Sequence, residues 1–185
     1  MTTDSIDSGK LVSECAETGA PGEERLSAPL RWITLTLLFF VMDALTKVAV
    51  QVFLTQPHRD ITIIPGFFAF SPTLNKGIAF SLLAGTDSVW KPILLTTVAV
   101  AALAWFSWMI LGGTIRKTAM LVASGMVCGG ILGNTANRLI TGSVVDFLDF
   151  HVGRFAWPTF NIADSCISIG AVWLIISLLR EERKS

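Results

Sequence analysis

Four stretches of this chain are mostly apolar over the length a bilayer requires. They cover about residues 30–54, 92–112, 118–139 and 160–179. A helix needs about 20 consecutive, mainly apolar residues to cross the hydrocarbon core. No water is available there to satisfy the backbone, so each stretch is expected to be a helix. The two longer connections have a different pattern. In residues 55–91, Ile61, Ile63 and Phe67–Phe70 are strand-like and are punctuated by Pro65 and Gly66. In residues 142–158, Val144, Val145, Phe147 and Phe150 repeat that character. The pattern predicts four membrane helices with a small sheet at one membrane surface, an all-α membrane class with a β accessory.

Composition agrees with this reading. Hydrophobic residues make up 52% of the 185 positions and charged residues 15%, where a soluble domain carries roughly 25% charged residues. The formal net charge of zero conceals a division. Residues 1–28 hold Lys10 and Arg25 against Asp4, Asp7, Glu14, Glu17, Glu23 and Glu24, and the remainder carries the compensating positive excess. With no apolar run, residues 1–28 are expected to be a disordered tail, leaving residues 29–185 as one membrane domain. The tail lacks the basic and apolar regions of a signal peptide. Neither part is basic enough to imply nucleic acid. Three cysteines, Cys15, Cys128 and Cys166, form no disulfide framework and no metal motif.

Orientation follows from Lys and Arg near the span ends. Arg25, Arg31, Arg116, Lys117, Arg180, Arg183 and Lys184 fall on one side of a four-span arrangement. That side is read as cytoplasmic, with both termini on it and the sheet outside. Gly125, Gly129 and Gly133 stand four apart in the third span, a face that admits close helix packing. Packing within the bundle is favoured over a dimer, so a monomer is expected. Trp32, Trp90 and Trp157 lie near span ends, where indoles anchor at the interface.

Polar residues at membrane depth are costly and point to function. Asp43 and Lys47 share a face of the first span at i, i+4. They are read first as a neutralised structural pair, with direct chemistry as the alternative. Asn134, Asn137 and Arg138 cluster at the end of the third span. Asn161, Asp164, Ser165 and Ser168 form a stripe opening the fourth, and Asp146 sits in an apolar run between them. Asp146 and Asp164 are therefore the carboxyls expected to meet at the outer face. Two close carboxyls separate into one acid and one base, which suits activation of water against a peptide bond. A proton relay or transport site would also place acids at this depth. The apolar content of residues 67–84 suggests a lid over the site.

The ordered blocks resolve this choice. They are Asp43-Ala44-Leu45-Thr46-Lys47, then Asn75-Lys76-Gly77-Ile78-Ala79-Phe80-Ser81, then Gly129-Gly130-Ile131-Leu132-Gly133-Asn134 with Arg138. Val144-Val145-Asp146-Phe147 and Trp157-Pro158, Phe160-Asn161 and Ala163-Asp164 follow. Together they resemble signal peptidase II, the bacterial lipoprotein signal peptidase, over about residues 31–180. The resemblance implies a four-helix aspartic endopeptidase of the bacterial inner membrane with a small extracytoplasmic sheet. It implies Asp146 and Asp164 as catalytic residues, with Asp43, Asn75, Asn134, Arg138 and Asn161 supporting the dyad or binding substrate. It further implies cleavage of prolipoproteins before a diacylglyceryl-modified cysteine, contact with membrane lipids, inhibition by globomycin, and no metal or organic cofactor. One position departs: Asn137 stands where the family commonly has Asp before the arginine. A four-span transporter is the competing class, but its polar stripe would cross the whole bilayer. Here the ionisable groups gather towards the outer half.

Overall fold

A computed structural model describes residues 21–54, 60–75 and 90–182 of the chain. Its elements in order are α1 (Pro21–Phe53), β1 (Ile61–Ile64), β2 (Phe68–Asn75), α2 (Trp90–Leu111), α3 (Thr118–Thr141), β3 (Val144–Val152), β4 (Phe155–Ala156) and α4 (Ile162–Glu182). Among the described residues, four helices are long and apolar enough to cross a membrane, as the hydropathy pattern requires. The spans within them are Ser27–Phe53, Leu94–Leu111, Thr118–Thr141 and Ile162–Arg180. The described part of the first helix runs from Pro21, so the tail boundary drawn at residue 28 falls inside a helix. Charged residues such as Glu23, Glu24 and Arg25 do not oppose a helix. Residues 1–20 of the expected tail lie outside the described residues.

The bundle is organised around α3. In its span 61% of the residues are buried, against 17% in each of the other three. α3 packs against α1, α2 and α4. The other helices instead turn residues such as Leu38, Leu45, Trp108 and Ile175 outward, which suits contact with lipid. The glycine stripe explains how α3 comes so close to its neighbours. A Cβ at Gly125 or Gly129 would collide with Leu35, Thr36 and Phe39 of α1. Gly130 faces α4, where a Cβ would stand 2.5 Å from the Ala163 carbonyl oxygen and 2.9 Å from Ile167. The stripe is thus filled within the chain. Trp32 packs against the apolar core of Phe106, Leu121 and Val127.

Gly130→Ala should therefore push α4 off α3, because a backbone oxygen cannot turn aside. Overpacking of this kind costs about 1–3 kcal/mol. The expected result is a lower Tm for the purified variant in detergent, with reduced activity. An unchanged Tm would show that the helices separate freely at this contact.

Among the described residues the sheet has four antiparallel strands, ordered β1-β2-β3-β4. Phe67 and Phe68 pack on Phe150, with ring centroids at 5.6 and 4.5 Å. The described part of the expected lid over residues 67–84 is Phe67 and β2, an inner strand of this sheet, and residues 76–84 lie outside the described residues. Two junctions bring the sheet to the helices. Gly142 adopts φ +74° and its N–H bonds the Arg138 carbonyl, ending α3 with a left-handed cap. The chain then enters β3 within two residues. At the other end Phe160 exchanges backbone hydrogen bonds with Leu148, at 2.8 and 3.2 Å. That bridge sets the start of α4 beside β3.

Candidate active site

The candidate residues singled out in the sequence, Asp43, Asn75, Asn134, Arg138, Asp146, Asn161 and Asp164, reach one place, where α1, α3, α4, β2 and β3 meet. Asp146 comes from β3, where Thr73 of β2 is its cross-strand partner. Its carboxylate accepts from Asn75 Nδ2 at 2.9 Å and from Asn161 Nδ2 at 2.6 Å. Asp164 lies in the first turn of α4. It accepts from Asn134 Nδ2 at 2.7 Å and from the Asn161 backbone N–H at 3.2 Å. The Asp164 N–H returns a bond to Asn161 Oδ1 at 3.0 Å. This reciprocal pattern is a capping box. Asn161 therefore stands just before the helix as its cap and is not on the helical stripe that the spacing suggested.

The two asparagines join the carboxylates. Asn161 Nδ2 also donates to Asn134 Oδ1 at 3.1 Å, so a continuous chain of amides runs from Asp146 to Asp164. Asn161, Asp146 and Asn134 are all buried. Their donors and acceptors are matched, as buried polar groups require. Deeper in the bundle, Asp43 and Lys47 form the anticipated ion pair at 2.7 Å. Asp43 also accepts from the Ala163 N–H at 2.9 Å, so it secures the N-terminus of α4. Gly133 leaves room for this carboxylate, because any Cβ there would collide with it.

Asp146 and Asp164 line one cavity of about 500 Å³, together with Asn75, Asn134 and Arg138. Its remaining wall is largely apolar, including Trp157, Phe160 and Ile169. Arg138 does not simply snorkel away. It lines the cavity, and its Nη1 lies 3.5 Å from the Asn134 carbonyl. Asn137 is different, since its Oδ1 is buried without a hydrogen-bond partner among the described residues. Asp149 stays outside the site, 3.8 Å from His151 Nδ1. Sequence reasoning did not assign Trp157, Phe160 and Ile169 to the cavity. No spacing rule brings them together; the Phe160–Leu148 bridge does. The described part of the block 75–81 is Asn75, and its other residues lie outside the described ones.

This geometry is that of a carboxylate pair lining one cavity near the C-terminal end of α3 and the N-terminal end of α4. Comparison with known proteins then decides the family. Residues 35–180 match the family model of signal peptidase (SPase) II. The chain belongs to the signal peptidase II family. Its members are aspartic peptidases that remove signal peptides from prolipoproteins, and this chain is such a membrane peptidase. A lipoprotein signal peptidase of Ralstonia nicotianae is 40% identical over 154 residues, which cover 83% of this chain and 86% of that protein. One of Cupriavidus taiwanensis is 38% identical over 159 residues, covering 85% and 88%. The fold agrees with a bacterial membrane enzyme solved by the in meso method at 2.3 Å resolution. That structure superposes with a TM-score of 0.72 at 27% identity, covering 83% of this chain and 90% of the other. The competing transporter reading is thereby set aside.

Burial pushes the Asp146 carboxyl above its ordinary value. The Asn75 hydrogen bond opposes this, the negative charge of Asp164 adds to it, and the Asn161 amide again opposes it. Removing the Asn75 donor disfavours the ionised form, so a proton on the pair persists to higher pH. Asn75→Ala is expected to move the alkaline limb of kcat/KM upward by about one pH unit. That size follows from a hydrogen bond to a charged group, roughly 1.5–3 kcal/mol, at about 1.4 kcal/mol per unit. A limb that stays in place, or moves down, would show that Asn75 does not tune the pair.

Proposed function

We propose that Asp146 and Asp164 activate water to cleave a prolipoprotein just before its diacylglyceryl-modified cysteine. The observation that carries this is the amide chain linking two carboxylates that share one cavity. One carboxylate removes a proton from water as its oxygen attacks the scissile carbonyl carbon. The other, protonated, donates to the carbonyl oxygen, giving a tetrahedral diol. A proton then passes to the amide nitrogen, the C–N bond breaks, and the signal peptide leaves as an acid while the cysteine gains a free amine. The pair titrates as a unit, and either member supplies the acid while the other supplies the base.

Asp43, Asn75, Asn134, Arg138 and Asn161 support the dyad or hold substrate. Asn75, Asn134 and Asn161 donate to the carboxylates directly, and Asp43 holds the helix that carries Asp164. A helical signal peptide hides its amides in internal hydrogen bonds, so its scissile region must unwind. Arg138 and the asparagines offer partners to the freed groups, and the apolar wall suits the substrate's acyl chains. Lateral access from membrane lipid fits such a substrate. The enzyme works as a monomer in the bacterial inner membrane, with both termini cytoplasmic and the dyad near the outer face. The distribution of Lys and Arg supports this orientation.

The test is cleavage of a lipidated model substrate by the purified protein in detergent. Globomycin-sensitive cleavage immediately before the lipidated cysteine is expected. Cleavage at another bond, or of unlipidated peptide equally well, would overturn the substrate assignment.

A further inference from the structure

Lys47 is 2% exposed and enclosed among helices. Its Nζ donates to Asp43 Oδ2 at 2.7 Å, as a structural ion pair would. It also donates to Asn134 Oδ1 at 2.9 Å, across 87 residues of sequence. That second bond reaches the dyad, because Asn134 Nδ2 is bonded to Asp164 Oδ1. An asparagine amide has nearly the same shape when its oxygen and nitrogen are exchanged, but the two orientations differ in chemistry. With Oδ1 facing Lys47 and Asn161 Nδ2, every contact pairs a donor with an acceptor. In the exchanged orientation the NH2 would face an ammonium and another NH2, and oxygen would face the Asp164 carboxylate. An ammonium has donors only, so it cannot adapt to that orientation.

We propose that Lys47 is a positioning residue of the peptidase: its ammonium locks the Asn134 amide so that Nδ2 stays aimed at Asp164. Asp164 is thereby held at one place in the cavity, with one oxygen bonded to Asn134 and the other to the Asn161 N–H. This inference rests on the reading of Asp146 and Asp164 as the dyad. It assigns Lys47 more than a structural task. A buried ion pair is often replaceable by apolar residues with little loss of stability, so fold stability alone gives weak reason for the ammonium. The contact with Asn134 supplies a specific one.

The experiment measures kcat and KM on the lipidated model substrate for Lys47→Met, Asn134→Ala, and the double variant. Lys47→Met is expected to lower kcat at least about tenfold, since small misplacements of reacting groups are costly, with KM nearly unchanged. Acting through Asn134, its effect should vanish in the Asn134→Ala background, so the double variant matches Asn134→Ala. Multiplied losses in the double variant would overturn the proposal, as independent sites add in free energy. If Lys47→Met fails to fold because Asp43 is left buried and unpaired, Asp43→Asn/Lys47→Met carries the test. That pair removes both charges, and the amide oxygen introduced by Asp43→Asn keeps an acceptor for the Ala163 N–H. It should fold and still show the lowered kcat, whereas wild-type kcat would make the lysine purely structural. Asp146→Asn and Asp164→Asn are assayed alongside. Should they be inactive while Lys47→Met turns over normally, the present inference alone falls. Should they cleave normally, the dyad reading falls and takes this one with it.

Discussion

Replacement of either aspartate by asparagine, Asp146→Asn or Asp164→Asn, is expected to leave an inserted protein that no longer processes prolipoprotein. The substitution keeps the side-chain volume and one acceptor oxygen, but it removes the proton-carrying carboxyl. A single acid–base group contributes about 10²–10⁴-fold to rate, and in the proposed mechanism neither aspartate acts without its partner. One must accept the proton of water while the other supplies a proton to the oxyanion. The neighbouring amides do not substitute, because Asn75, Asn134 and Asn161 approach these carboxylates through their nitrogens as donors. They do not titrate in the working range. Both oxygens of each carboxylate accept from N–H donors, so either substitution sets its new NH2 against a donor and should lower the Tm as well. Activity is followed by the mobility shift of a lipidated substrate, and folding by thermal unfolding in detergent. Substantial cleavage by either folded variant would remove the dyad assignment.

The parts of this picture visible in the sequence are those dictated by the bilayer. Spans are long because the hydrocarbon core is thick, and intramembrane acids and amides stand out because they are costly there. Asp146 and Asp164 can therefore be singled out, as can the Asp43–Lys47 pair from its spacing alone. Which polar group meets which is not visible. Lys47 and Asn134 come together because α1 crosses α3 at Gly125, Gly129 and Gly133, where no side chain intervenes. The stripe announces a close approach but not the partner. Spacing from Asp164 assigns Asn161 to a helix face, whereas Asn-x-x-Asp is itself a helix-start signature and places Asn161 outside the helix. That α1 already covers residues 21–28 escapes the sequence for another reason. A polar composition speaks against a buried core, not against a helix.

Asn161→Ala should be nearly as damaging as loss of an aspartate, though it removes no reacting group. Asn161 is completely buried. Its Nδ2 bonds Asp146 and Asn134, and its Oδ1 caps the N–H of Asp164. Alanine deletes all three bonds at once. Loss of a side-chain cap costs about 0.5–2 kcal/mol, and each buried partner left unsatisfied costs about 1–3 kcal/mol. Asp146 then keeps its bond from Asn75 but not the one that ties it to α4, and Asp164 loses the cap that fixes its place in the first turn of α4. With both carboxylates free to shift, a drop in kcat of about 100-fold is expected, the size of effect that accompanies a misplacement of about 1 Å. KM should change less, because the apolar wall formed by Trp157, Phe160 and Ile169 remains. Asn161→Asp is the informative companion. It preserves the acceptor for the Asp164 N–H but loses both donors and adds a third negative charge between the two carboxylates. It should therefore fold with its cap intact and yet be as inactive as the alanine variant. If Asn161→Asp instead retains wild-type kcat, the amide chain between Asp146 and Asp164 does not organise the site.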